Sequence, residues 1–407
     1  MNTDSILTIA AFGAYLIFML CIGMYFVGKN RTTSEYFLGG RSLGSWVTSM
    51  SAQASDMSGW LMMGLPGAAY LSGISAGWIA IGLAIGTYLN WLLVAKPLRQ
   101  YTKVADDAIT LPQFFKNRFK DESGMISVIA AIFILVFFLF YTASGFVSCA
   151  KLFSSVFGLP YIAALLIGAV VVISYTFAGG FFAVCWTDFF QGLLMFFCVL
   201  AVPTIAIGSM GGPSDFFAQV DAFNPDFLNM FVDGATHTPY TALGIISLVA
   251  WGLGYFGQPH ILVRFMGIES PKAIKKSRRI ATVWVLISLT AAVMIGVSGR
   301  LFLGDGLLDI AGNEETIYIN MVSRIFPVFI AGIFLSAILA AIMSTADSQL
   351  LVTASAITED FYHNKIRPNA TEKELMWVSR GCVMAVALIA LFIATNQDST
   401  VLGLVEY

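Results

Sequence analysis

The chain has 407 residues, of which 58% are apolar and only 11% are charged. Soluble globular domains carry about 25% charged residues, so this composition excludes an ordinary water-soluble enzyme. The 22 basic residues are balanced by 24 acidic ones, and no basic surface is available to bind nucleic acid. The composition predicts a membrane protein that crosses the bilayer many times.

Long uncharged runs predict where the helices cross. A hydrocarbon core of about 30 Å requires roughly 20 apolar residues per helix. The first run, 5–28, has no cleavage motif after it and is interpreted as a retained helix. The five cysteines are scattered through apolar runs and predict neither a disulfide framework nor a zinc site. The run 42–95 is long enough for two crossings, and further crossings are predicted at 125–150, 160–180, 189–209, 239–258, 280–303, 327–352 and 376–395, with another beginning near 399.

Basic residues predict the orientation of these helices. Lys and Arg concentrate at 29–41, 96–120, 264–279 and 365–380, whereas acidic residues predominate at 215–233 and 305–315. Cytoplasmic loops are enriched in Lys and Arg. We therefore expect the N-terminus to lie outside the cell and Arg264 to lie in an inner loop.

A carboxylate inside the bilayer costs roughly 2.5–3.5 kcal/mol to insert and is a functional candidate for that reason. Asp56 lies midway along a predicted span, within a patch of Ser and Ala, and Gly64 and Pro66 follow it. These residues predict an interrupted helix, whose freed carbonyls could bind a cation. The alternative is a kinked helix in which Asp56 only packs against a polar neighbour.

A second polar group lies in the span 327–352. Ala341, Ser344, Thr345 and Ser348 share one helical stripe, and Asp347 lies beside it. Hydroxyl and carboxylate oxygens suit an alkali cation. Alternatively, the hydroxyls bond to the preceding turn and allow close helix packing.

Two further segments leave alternatives open. Asp188, expected between two spans near the inner face, either belongs to a functional site or caps the next helix. Residues 251–259 contain a G-x-G-x-x-G pattern without the strand context of a dinucleotide site, so we interpret them as an unwound helix. Trp251 and Tyr255 either flank a small cavity or simply pack, and Tyr141 is equally ambiguous. No ATP-binding loop or hydrolase motif occurs in the sequence.

The two interrupted helices lie five spans apart and start from opposite sides, which is typical of an inverted five-plus-five repeat. Several segments together resemble the solute:sodium symporter family, and the resemblance covers essentially the whole chain. The segments that carry it are 38–44 (LGGRSLG), 54–60 (ASDMSGW), 179–188 (GGFFAVCWTD), 251–259 (WGLGYFGQP) and 355–360 (SAITED).

The resemblance implies an all-α membrane fold with a LeuT-like core of two inverted repeats. One extra helix and loop (1–41) would precede the first repeat (42–210), and the second repeat would occupy 239–407. Members of the family continue beyond the point that corresponds to Tyr407. We therefore expect the chain, 1–407, to form one transporter domain whose last core helix is incomplete.

The resemblance also implies a set of ion-binding residues. The main sodium site would use the carbonyls of Ala54, Met57 and Ala341 with the hydroxyls of Ser344 and Thr345, and Asp56 would couple sodium to substrate. A second sodium site would use Asp188, Asp347 and Ser348. An acid at position 347 departs from the pattern of the proline-transporting members, in which a hydroxyl is expected.

The implied function is sodium-driven uptake of L-proline by alternating access across the inner membrane of a bacterium. Sodium would be the coupling ion, with no other cofactor and no enzymatic activity. The alternatives are another small amino acid or carboxylate as substrate, or a non-transporting sensor or truncated copy. Proline would lie near Ser58, Gly59, Tyr141, Trp251, Tyr255 and Pro259.

Overall fold

A computed structural model describes residues 3–27, 33–178, 180–309, 312–396 and 400–405. Almost all of these residues are helical, and a small hairpin of β1 (Val232–Asp233) and β2 (Thr238–Pro239) interrupts them. The α-helices are α1 (Thr3–Val27), α2 (Thr33–Leu38), α3 (Ser45–Gly59), α4 (Leu65–Ser72), α5 (Gly77–Leu89), α6 (Ala95–Val104), α7 (Leu111–Phe119), α8 (Met125–Phe157), α9 (Tyr161–Ala178), α10 (Phe181–Ser209), α11 (Pro213–Phe223), α12 (Ala242–Val249), α13 (Pro259–Gly267), α14 (Ile274–Leu303), α15 (Ile317–Ile325), α16 (Val328–Ser355), α17 (Glu372–Ile393) and α18 (Val401–Val405).

Within the described ranges, seven helical runs are long and apolar enough to cross a membrane. One of them, Ser45–Val104, has 60 residues, about three times the length that one crossing needs. Gly73, with a φ of 78°, breaks this run between α4 and α5, as the prediction of two crossings at 42–95 requires. The shorter apolar helices Tyr161–Ser174 and Ala242–Gly257 match two more predicted crossings.

The first predicted interruption is confirmed at the end of α3. Ser58 has a φ of 41° and a ψ of −169°, outside the helical region, and a π-helical segment, Trp60–Gly64, joins α3 to α4. Residues 47–59 are all buried. The chain therefore presents a non-helical backbone to the interior of the molecule, where protein groups rather than lipid satisfy it.

The second predicted interruption is confirmed between α12 and α13. A 3₁₀ segment, Ala250–Gly257, follows α12, and the extended residue Gln258 separates it from α13. Pro259 begins α13, where its missing N–H would have no helical acceptor in any case. The far end of α13 is fastened to the residues just before α3. The N–H of Leu43 donates to the carbonyl of Gly267 over 3.2 Å, and the N–H of Glu269 donates to the carbonyl of Leu43 over 2.9 Å.

Helix α16 forms the centre of the molecule. Residues 335–355 are buried throughout, and α16 packs against α1, α3, α8 and α10. A helix buried on all sides explains why polar side chains such as Ser344 and Asp347 lie far from the surface. Their partners must come from neighbouring helices.

Glycines allow α5 to approach the 3₁₀ segment closely. A Cβ atom on Gly86 would collide with the carbonyl of Gly252, and one on Gly252 would collide with the carbonyl of Gly82. The backbones touch directly, and this contact positions the residues that flank Gly252.

We predict that Gly86→Ala destabilises the protein by about 1–3 kcal/mol, because an added methyl group forces the two backbones apart. The measurement is thermal unfolding of the purified protein in detergent. Gly257→Ala is the matched control, since a Cβ there meets no described atom within 4 Å. Equal melting temperatures for the two variants would contradict the prediction.

Candidate functional site

Buried oxygen atoms gather where α3 meets α16. Ser344 Oγ lies 2.8 Å from the carbonyl of Ala54 and 3.2 Å from the carbonyl of Ala341, and Thr345 Oγ1 donates to the Ala341 carbonyl over 3.0 Å. These four residues are at most 3% exposed. They are four of the five residues expected in the main sodium site, and two carbonyls and two hydroxyls are ligands that a hard cation accepts.

Met57, the fifth expected residue, lies three positions after Ala54 at the end of the regular part of α3. It is 1% exposed, and its carbonyl accepts a hydrogen bond from the N–H of Trp60. Its carbonyl belongs to the stretch of backbone next to the break at Ser58.

The broken segment is held by the side chain of Tyr141 on α8. Tyr141 Oη donates to the carbonyl of Asp56 over 3.0 Å and lies 3.4 Å from Ser58 Oγ, which itself accepts from the N–H of Trp60. The Asp56 side chain is 7% exposed and interacts with the hydroxyl of Tyr255. Among the described residues, Asp56 Oδ2 has no hydrogen-bond partner.

A cavity of about 450 Å³ lies between the two interrupted helices, within the range of about 300–1,000 Å³ for small-molecule sites. Its wall combines aromatic rings with a few polar groups. The rings of Trp60 and Trp251 approach within 5.7 Å, centroid to centroid, and Asn90 Nδ2 holds the carbonyl of Tyr255 over 2.8 Å. The lining includes Asp56, Trp60, Tyr141, Trp251, Tyr255 and Gln258.

The other three expected substrate residues lie beside this cavity and not in its wall. Ser58 bonds to Tyr141 from the broken helix. Gly59 faces α8, where an added Cβ would lie 2.6 Å from Ser148 Oγ. Pro259 lines a neighbouring cavity that shares Tyr141 and Gln258 with the first.

Asp188, Ser348 and Asp347 lie together around the buried side chain of Arg264. Asp188 Oδ2 accepts from Ser51 Oγ at 2.6 Å and from Arg264 Nη2 at 3.0 Å, and Arg264 also donates to Ser348 Oγ. Ser348 Oγ lies 3.3 Å from Asp347 Oδ1. Within the described part of the chain, Asp188 Oδ1 and Asp347 Oδ2 are left without partners.

Two sequence-based positions require correction. Arg264 was expected in an inner loop but lies in α13, with its side chain 1% exposed. Asp188 was expected between two spans but lies inside α10, which begins at Phe181, and is 0% exposed. Each residue lies at the edge of an apolar run, so its position along the chain predicts a loop or a helix end. The ion pair between them depends on how α10 and α13 pack together.

Sequence reasoning also missed Ser51, Trp60 and Gln258. Ser51 joins Asp188 to Arg264, and Trp60 and Gln258 line the cavity. The signal available for Ser51 and Trp60 was their position in the same interrupted patch as Asp56.

Two broken helices, a cavity between them and the oxygen cluster of Ala54, Ala341, Ser344 and Thr345 are typical of an ion-coupled transporter of the inverted-repeat type. The sodium:solute symporter family model matches residues 36–407. The chain belongs to this family, which is a family of transporters and not of enzymes.

Characterised relatives are similar over almost the whole chain. The chain is 48% identical to the sodium/proline symporter of Haemophilus influenzae, over 98% of this chain and 80% of the relative. It is 47% identical to the sodium/proline symporter of Escherichia coli, over 98% of this chain and 79% of the relative. It is also 47% identical to the high-affinity proline transporter PutP of Bacillus subtilis, over 96% of this chain and 81% of the relative.

Solved structures confirm the fold. A Na⁺-coupled sialic acid symporter in a substrate-bound outward-open state superposes with a TM-score of 0.82 at 21% identity, over 95% of this chain and 81% of that one. MhsT in complex with L-phenylalanine superposes with a TM-score of 0.52 at 14% identity, over 88% of this chain and 79% of that one. The LeuT-like fold expected from the sequence is therefore confirmed, and the chain is an integral membrane protein. The repeat boundaries at 42–210 and 239–407 remain predictions.

Proposed function

We propose that this chain carries L-proline into the bacterial cell together with sodium, by alternating access. The oxygen cluster that joins α3 to α16 carries this proposal, because it offers a sodium ion its ligands at the break of a helix that also contacts the solute cavity. The names of the relatives, all of them proline transporters, supply the solute.

Sodium would bind the carbonyls of Ala54, Met57 and Ala341 and the hydroxyls of Ser344 and Thr345. Ser344 Oγ is already 2.8 Å from the Ala54 carbonyl, so the two helices need little rearrangement to share an ion. A cation there would replace hydrogen bonds between the helices with stronger ion–oxygen contacts. Sodium would thereby fix the relative position of α3 and α16.

Proline would occupy the cavity between the broken helices. Trp251 and Tyr255 offer aromatic faces to the pyrrolidine ring, and a cation–π contact is available to its secondary ammonium group. Asp56, with one unpartnered carboxylate oxygen, lies in the cavity wall beside Met57. Asp56 is therefore adjacent to both the proposed sodium site and the solute cavity, which supports its role in coupling sodium to proline. Ser58, Gly59, Tyr141 and Pro259 would shape the backbone around the solute.

The membrane potential would drive uptake through the ion. Each sodium ion that moves inward gains about 2.3 kcal/mol per 100 mV, which alone supports about a fiftyfold solute gradient, since 1.4 kcal/mol is a factor of ten. Sodium must raise the affinity for proline by the same factor by which proline raises the affinity for sodium.

A second sodium ion at Asp188, Asp347 and Ser348 remains a prediction. The two carboxylates, when ionised, face one guanidinium, so the cluster keeps a net negative charge that a monovalent cation would balance. The unpartnered oxygens of Asp188 and Asp347 are its available ligands.

We place the chain in the cytoplasmic membrane with the N-terminus outside, on the distribution of Lys and Arg. In a cysteine-free background, His237→Cys should react in intact cells with a membrane-impermeant maleimide, and Lys373→Cys should react only after permeabilisation. Both positions are exposed. The opposite labelling pattern would invert the orientation.

Loss of both hydroxyl ligands tests the sodium site. We expect Ser344→Ala with Thr345→Ala to raise the sodium concentration for half-maximal proline uptake at least tenfold, measured in proteoliposomes. The matched control is Ser336→Ala with Thr353→Ala, which removes a serine and a threonine from the same helix. Among the described residues, their hydroxyls bond to the preceding turn of that helix, at Gly332 and Gln349. Unchanged sodium dependence in the first variant would refute the site.

Truncation of the aromatic wall tests the solute site. Trp251→Ala should raise the KM for proline about tenfold, equivalent to about 1.4 kcal/mol, while the sodium dependence changes much less. Trp377→Ala, at an exposed position on α17, is the control. Uptake by the unaltered chain that ignores an imposed sodium gradient would disprove symport, and sodium-dependent proline binding without uptake would indicate a sensor.

A further inference from the structure

Arg264 contacts α3 and α16, the two helices of the oxygen cluster, and also the neighbouring helix α10. Its Nε donates to Ser51 Oγ on α3 over 3.0 Å, and its Nη2 donates to Asp188 Oδ2 on α10 over 3.0 Å and to Ser348 Oγ on α16. Its Nη1 donates to the carbonyl of His260 on its own helix over 2.7 Å. A single side chain thus joins α3, α10 and α16 to α13.

Stability alone does not account for this arrangement. Removing a guanidinium and a carboxylate from water costs several kcal/mol per ion, and well-packed apolar residues are often at least as stabilising. The rigid fork of an arginine, however, bonds several partners in one fixed geometry. Arg264 therefore fixes the relative positions of helices.

The contacts of Arg264 lead directly to the oxygen cluster. Ser348 Oγ donates to the carbonyl of Ser344 over 2.7 Å, and Ser344 Oγ donates to the carbonyl of Ala54 over 2.8 Å. Ser51 lies one turn before Ala54 on α3, and its carbonyl accepts from Ser55 Oγ over 2.7 Å. Arg264 therefore touches both helices of the cluster one turn away from the proposed ligands.

The other end of this connection is the solute cavity. Trp251 and Tyr255 lie in the 3₁₀ segment that leads through Gln258 into α13. The last turn of α13 is fastened to Leu43, just before the start of α3. A shift of the 3₁₀ segment around a solute would move α13, and Arg264 would transmit that movement to α3 and α16.

We propose that Arg264 is the positioning residue that couples solute binding to sodium binding. The guanidinium holds Ser51 and Ser348 in the geometry that the oxygen cluster needs, and it moves with the helix that follows the solute-binding segment. This inference rests on the proposed function of sodium–proline symport.

The test compares the coupling factor, defined as the ratio of the proline Kd at low sodium to the proline Kd at saturating sodium, in the purified chain and its variants. The variant Arg264→Gln removes the guanidinium, keeps a hydrogen-bonding group at that position and leaves Asp188, Asp347 and Ser348 in place. We expect both ligands to bind still, and the coupling factor to fall at least tenfold. Arg264→Lys, which keeps the charge but lacks the fork, should lose coupling to an intermediate extent.

Arg99→Gln is the matched control. Arg99 is also a buried arginine and donates to the carbonyl of Ile268, just beyond α13, over 2.7 Å, but it has no described contact with the helices of the oxygen cluster. The coupling factor of the Arg99→Gln variant should equal that of the unaltered chain.

Three results are distinguishable. A coupling factor that is unchanged in Arg264→Gln and in Arg264→Lys overturns the role of Arg264. An equal loss in Arg99→Gln also overturns it, because the effect would then follow from losing any buried arginine. If the proline Kd of the unaltered chain does not depend on sodium, symport itself fails, before any variant is considered.

Discussion

Backbone groups released by the break in α3 must find partners inside the molecule, because hydrocarbon offers none. The hydroxyl of Tyr141 binds the carbonyl of Asp56, and Ser58 Oγ binds the N–H of Trp60. The carbonyl of Ala54 is met by Ser344 from the opposite helix. A carbonyl that accepts a hydroxyl at the break of a helix can exchange that partner for an ion, and the proposed sodium site rests on this exchange.

Glycines bring the two broken helices close to their neighbours. Gly59 lies against Ser148 on α8, and Gly86 lies against Gly252 in the 3₁₀ segment. Without side chains at these positions, the two broken helices can approach the long helices that flank them. The cavity between the broken helices owes its shape to these contacts as much as to the aromatic residues in its wall.

Charge is scarce in this chain, and one group of charged side chains is buried between helices. Arg264 and Asp188 neutralise one another between α10 and α13, at a depth where either charge alone would be costly. Asp347 adds a further carboxylate to the same cluster. The link from Arg264 through Ser348 to Ser344 gives the buried pair a route to the oxygen cluster that an apolar replacement could not provide.

The membrane class, the approximate crossings and the two helix breaks follow from length, hydropathy and the Gly and Pro residues near Asp56 and before His260, because these signals act locally. The sequence also placed the hydroxyl stripe of α16 on one face. The partnership of Ala54 with Ser344 came from family resemblance, because no spacing rule links residues so far apart. By contrast, the buried pair of Asp188 and Arg264, and the contact of Gly59 with α8 rather than with the cavity, emerge from the packing of the helices. Such contacts depend on how helices distant in sequence pack together, and local patterns carry no information about that packing.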